Sequence, residues 1–148
     1  MEAVRNFIGL CIKELLHRAE QHDQTKLESP EREIFEEHTA QLRGTTFGSD
    51  DYKRILSEMK PALDHHYAQN RHHPEHFKDG VKDMNLIDIL EMLCDWKASS
   101  MRHNDGNLLK SIESQQSRFH YSDDLRQILE NTAHWIDSQS IFHAAEQS

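Results

Sequence analysis

The chain predicts an all-α fold of about six or seven helices in a single domain. Three observations predict it. Apolar residues recur at i+3 and i+4 along nearly the whole length, and no segment alternates with the period of two that a half-buried strand requires. The length of 148 residues is that of one ordinary domain with a real core. No repeat, low-complexity tract or linker breaks the run, so residues 1–148 read as one unit with a frayed end after about Phe142.

The elements follow in order. Val4, Ile8, Cys11, Leu15 and Ala19 form one helical stripe, predicting a helix over 2–22 with that stripe inward and His17 pointing elsewhere. Extending the stripe by three lands on His22. Ser29 as a cap, Pro30 at the first helical position and the acids Glu31 and Glu33 restart the chain as a helix to about Leu42. Gly44 and Gly48 frame a loop, and Ser49, Asp50 and Asp51 open the next helix. Pro61 kinks or restarts it, and ALDHHYAQN continues it. RHHPEHFKDG is a loop by its Pro74 and Gly80, and helix resumes from about Asn85 to Met101. HNDG turns the chain at 103–106, LLKSIESQQSRF is helical, and Ser122 caps a last long helix.

Charge and cysteine content exclude some classes of function. A formal charge of -9 with 17 scattered Lys and Arg argues against general nucleic-acid binding, which needs clustered cations. A small phosphorylated ligand needs only a few local cations and stays open. Cys11 and Cys94 have no CxxC partner and read as small buried hydrophobes of a reducing cytoplasm. The first helix carries charges and lacks both the apolar run of a membrane span and a signal-peptide pattern. The expected location is therefore the cytoplasm, that of a bacterial host if the chain is phage-encoded. A homodimer is left open.

Histidine is the outlying residue type. There are 12, and five fall between His65 and His76 in HHYAQNRHHPEHF. Imidazole and carboxylate together hold first-row divalent metals. Ala62, Leu63, His66 and Asn70 keep helical spacing, which turns His66 inward and His65 outward; His72 and His73 follow in the loop. The neighbouring His22 and Asp23 sit where the first helix ends, so both can reach one ion. Lys26 lies one turn on and suits a phosphate as a point charge. The helix MNLIDILEMLCDWKAS is apolar around most of its circumference, predicting burial on nearly all sides, with Asp88, Glu91 and Asp95 on one narrow polar stripe. A buried carboxylate there is costly unless paired or metal-bound. For any one histidine, a solvated or hydrogen-bonded ring is the commoner case; the two adjacent pairs are what favour a metal. His76, His103, His120, His134 and His143 read as structural or exposed.

HDQTKLESP, HHPEHFKDG and CDWKASSMR together resemble the HD-domain superfamily of metal-dependent phosphohydrolases, echoing the HDxxKxxxP, HHExxDG and late-aspartate motifs of its HD-GYP branch over roughly residues 2–105. HHYAQNRHHPEHF and MNLIDILEMLCDWKAS also look like a family of small phage and bacterial proteins without a known activity. The superfamily resemblance implies an HD-domain-like helical bundle, with metal ligands at His22, Asp23 and Asp95 and further ligands among His66, His72 and His73. It implies that Lys26 contacts phosphate. The superfamily usually adds a histidine from a helix well upstream, whereas here only His17 precedes the pair. Either His66 and its neighbours complete the sphere, or the chain starts too late, or the site is weakened. The altered spacing after His66 does not carry over a cyclic-dinucleotide specificity.

The expected function is metal-dependent hydrolysis of a nucleotide or related small phosphate ester through a metal-activated water. Asp23 binds or bridges the metal, Glu91 or Asp88 orients or deprotonates the water, and Lys26 neutralises phosphate charge, with Asn70, Arg71 and Arg102 as further substrate contacts. One or two ions of Mn, Fe, Co, Ni or Zn suit such ligands. Two other classes compete: a di-iron oxygenase, which consumes oxygen, and a non-catalytic nucleotide-binding or interaction module in which metal is only a staple.

Overall fold

The computed structural model describes residues 1–46, 49–102 and 106–139. Gly48, most of the expected turn at 103–106 and the end from residue 140 lie outside them, as do His103 and His143. Among the described residues there are six α-helices, three 3-10 helices and no strand. The protein is all-α. Contacts divide the chain into two compact units, the first ending at Lys78 and the second starting at Asp79.

In the first unit, α1 spans Glu2–Gln21, α2 Glu31–Arg43 and α3 Asp50–Gln69, with 3-10 turns at Gln24–Leu27 and Pro74–His76. Glu2 in the first turn of α1 and Arg18 in the last complement the helix dipole. The expected inward stripe of α1 is not inward: no residue of this helix is buried, and Val4 and Ile8 are 61% and 54% exposed. Periodicity identifies an apolar side without identifying what covers it. Packing in this unit is made instead by α2 against α3, with both 3-10 turns laid on α3.

Ser29 does not cap α2. The helix starts at Glu31 with Pro30 in the N-cap position, after a cis Ser29–Pro30 peptide. Ser49 does cap α3, its hydroxyl accepting from the Tyr52 amide, and α3 runs through Pro61 without a break. The buried face of α3 is Ile55, Met59, Ala62 and His66, a stripe at i, i+4, i+7 and i+11. Its last member is polar, so the core of this unit turns into the site at the C-terminal end of α3.

In the second unit, a 3-10 turn at Gly80–Asp83 leads to α4 (Leu86–Ser100), α5 (Leu108–Phe119) and α6 (Asp123–Asp137). Asn85 and Asp88 form a reciprocal capping box at the start of α4. Asn107 and Ser122 cap α5 and α6. Met92 and Leu93 of α4, Ile112 of α5 and Leu129 of α6 form the centre of this unit's core. His120 closes α5 in the left-handed conformation, and the Tyr121 hydroxyl donates to the Ile112 carbonyl.

Two expectations fail here. Helix α4 is not buried on nearly all sides: only Asp88, Met92 and Leu93 are, while Leu86 is 79% exposed. A three-helix unit needs one stripe per helix, however apolar the remainder. Cys11 and Cys94 are likewise exposed and not core residues. No helix among the described residues is long and apolar enough to cross a membrane.

Candidate metal centre

Four segments of the first unit meet at the C-terminal end of α3. Helix α1 ends because His22 takes an extended ψ of 124° and Asp23 the left-handed conformation, φ 57° and ψ 16°. Aspartate tolerates that conformation better than most L-residues, because its short polar chain can bond locally. The reversal turns the Asp23 carboxylate toward α3. Its Oδ2 accepts from Lys26 Nζ at 2.5 Å, with His22 Nε2 at 3.5 Å. Its Oδ1 is buried and has no hydrogen-bond donor in bonding geometry.

Imidazole nitrogens surround that oxygen. His66 Nε2 lies 3.3 Å and His72 Nε2 3.5 Å from Asp23 Oδ1, and His66 Nε2 is 2.9 Å from His73 Nε2. Backbone geometry delivers the second pair. Asn70 leaves the helix in an extended conformation while its amide still donates to the His66 carbonyl, and the His73 amide folds back to the Asn70 carbonyl. Pro74, buried, then starts the next turn and holds His72 and His73 beside α3.

Behind the cluster sits Glu31, fully buried at the start of α2. Its two oxygens accept from His65 Nδ1 and His66 Nδ1, each at 2.8 Å, and Oε2 also accepts from the Thr25 hydroxyl at 3.0 Å. Thr25 in turn accepts from the Asn70 amide at 2.9 Å. A carboxylate with no exposure is tolerated only with such partners. Glu31 thus holds the His66 ring by Nδ1 and directs its Nε2 at Asp23 and His73. This is the carboxylate–histidine pairing that orients metal-ligating imidazoles.

Burial by itself would raise the Asp23 pKa. Contacts with His66 and Lys26 outweigh it and hold the carboxyl well below the usual carboxylate range, so Asp23 is an anion. Metal–ligand bonds of about 2.0–2.2 Å place the ligand atoms of one ion roughly 3–3.5 Å apart. The separations above match that range. Asp23, His66, His72 and His73 all present a donor atom within 4.8 Å of one another, so the group can hold a metal ion.

Of the residues singled out by sequence, His22, Asp23, Lys26, His66, His72 and His73 come together here. Asn70 is buried, and its side-chain amide donates to Thr25 and to the His66 carbonyl. Arg71 is exposed and its guanidinium lies 4.8 Å over the Phe77 ring. Glu91 and Asp95 sit half-buried one turn apart on α4 of the second unit, Asp88 belongs to the capping box of that helix, and Arg102 is exposed just beyond it. Sequence reasoning missed Glu31 and Thr25. Glu31 reads as a dipole-favouring acid, yet Phe35 and His38 continue its side of α2 at i+4 and i+7, a signal that it faces inward.

The fold and site define an all-helical protein with a buried histidine–aspartate cluster of metal-binding geometry. Residues 1–135 match the model of a family of unknown function, DUF5662, and the chain belongs to that family. No curated protein and no solved structure matches it.

Proposed function

We propose that the protein is a metal-dependent phosphohydrolase acting on a nucleotide or related small phosphate ester, with the ion held by Asp23, His66, His72 and His73. The observation that carries this reading is the buried Asp23 Oδ1, which has no hydrogen-bond donor and faces imidazole nitrogens at 3.3 and 3.5 Å. A buried anionic oxygen in that state is costly until a cation reaches it. Three imidazoles with one carboxylate suit Mn, Fe, Co, Ni or Zn.

A bound divalent ion supplies Lewis-acid polarisation of a phosphoryl oxygen and a water of lowered pKa. The rest is the work of the chain. Glu31 fixes the orientation of the His66 ring, and Thr25, itself bonded by Asn70, braces Glu31 from behind. Lys26, its side chain 41% exposed and its Nζ beside Asp23, is the cation placed to meet a phosphate. His22 borders the same carboxylate. Asp95 as a ligand and Glu91 as the group that orients water stay what the superfamily resemblance implies.

Elemental analysis of purified protein, followed by phosphate release from nucleoside mono-, di- and triphosphates with Mn, Co or Mg, tests the reading. Near-stoichiometric metal, lost in Asp23→Asn and His66→Ala, together with metal-dependent phosphate release, is the expected result. Metal-free wild-type protein ends it. A second reading is favoured by the depth of the site: His66 and His72 are buried and the Asn70 amide is committed to the fold. In that reading the metal is a staple and the protein binds its ligand without turnover. Full metal loading with no phosphate release from any substrate selects it. Oxygen consumption by iron-loaded protein selects the di-iron oxygenase.

A further inference from the structure

Helix α1 has no buried residue and carries a long run of apolar side chains. Val4, Phe7, Ile8 and Ile12 are between 52% and 67% exposed, Cys11 is exposed, and no residue of the helix is buried. A helix apolar on so much of its circumference is normally covered. Val4, Ile8, Cys11 and Leu15 recur at i, i+4, i+7 and i+11, the 3.5-residue seam by which two helices pair. We infer that α1 is a dimerisation helix whose occupant is α1 of a second copy of this chain, packed parallel to it.

Charge and area select that occupant. The helix carries three acids (Glu2, Glu14, Glu20) and three bases (Arg5, Lys13, Arg18), so it is formally neutral within a chain of charge -9. Two copies therefore meet without repulsion along the seam. A bilayer surface is the poorer fit, since interfacial helices rely on a basic polar face to hold anionic lipid. The seam and its flanks offer five exposed apolar side chains, Val4, Phe7, Ile8, Cys11 and Ile12, at about 100 Å² apiece, or about 1,000 Å² over two copies. That reaches the lower bound for a specific interface.

The flanks select the direction. With Val4 and Cys11 at d, and Ile8 and Leu15 at a, Phe7 takes g and Ile12 takes e. In a parallel pair g meets e of the other helix five residues on, so Phe7 packs on Ile12. An antiparallel pair sets Phe7 against Glu14 and Arg5 against Ile12, leaving both apolar flanks opposite charge. The parallel arrangement also stacks Cys11 on Cys11 across the twofold axis.

Sedimentation velocity of the full chain over a micromolar concentration series is the test, paired with a short bis-maleimide crosslinker on a Cys94→Ser background. The expected results are a dimer and a covalent dimer through Cys11. Ile8→Glu should weaken association by at least about tenfold, through a charge placed in the seam, without altering the helical circular-dichroism spectrum. Because Ile8 is more than half exposed, a loss of fold is not the expected cause of that change. A monomer at all concentrations, a dimer indifferent to Ile8→Glu, or a dimer without the Cys11 crosslink overturns the proposal. So does a monomer that floats with phosphatidylserine vesicles, which assigns the face to lipid.

Discussion

Glu31 is the residue on which the cluster turns. Its carboxylate has no exposure and accepts from two imidazoles and a hydroxyl, so the position of His66 is set from behind. Removing such a carboxylate behind a ligating histidine typically costs 10–100-fold in metal affinity. Glu31→Gln keeps the volume and removes the charge, and it should weaken metal binding by about that factor in a competition titration while the protein stays folded. Asp23 has a second constraint, its left-handed backbone. Asp23→Asn is tolerated there and tests the charge alone, whereas Asp23→Val should also destabilise the turn. Lys26→Ala, on the partly exposed side of Asp23, should leave metal content unchanged and raise the KM for a phosphate ester. If metal is lost instead, Lys26 serves the site as a counter-ion and not as a phosphate contact.

Elements are held by caps and by single buried polar contacts. Asn85 accepts from the amides of Ile87 and Asp88 while Asp88 returns the bond to the Asn85 amide. Asn85→Ala should therefore cost about 1 kcal/mol, read as a fall in melting temperature. The α5–α6 turn rests on Tyr121, whose pKa burial pushes up to about 12. The sign follows from that rise. The protonated phenol is favoured in the fold, so its stabilisation is complete below pH about 10, the ordinary tyrosine value, and is lost as pH climbs toward 12. Denaturation midpoints measured from pH 9 upward should fall over that window, and Tyr121→Phe should flatten the fall. Elements are also where sequence reading did best. Five of the six α-helices were expected within about two residues of where they end or begin. α6 stops at Asp137, short of its expected extension. Caps are local chemistry, and Ser49, Asn85 and Ser122 sit beside the amides that they satisfy.

At the scale of the molecule, the two units answer differently to a metal. Ligand binding stabilises a folded state by about 2.7 kcal/mol at a hundredfold excess over Kd, and all four proposed histidine and aspartate ligands belong to the first unit. Calorimetry should show metal raising the unfolding transition that reports this unit, with a chelator reversing the change. No shift in any transition would contradict a metal held at this cluster. Sequence by itself determined the helical class, the helix ends and the residue types suited to a metal, because helix periods and caps are properties of neighbouring residues. It also determined the inward turn of His66, since three-to-four-residue spacing carries a side chain's direction along one helix. Only the tertiary structure decided that Glu31 stands behind His66, that the Asn70 side chain braces Thr25 and the His66 carbonyl, and that the apolar side of α1 remains largely open. Each of these depends on which surface meets which, and a periodic stripe specifies a direction around its own helix axis but not the partner that lies there.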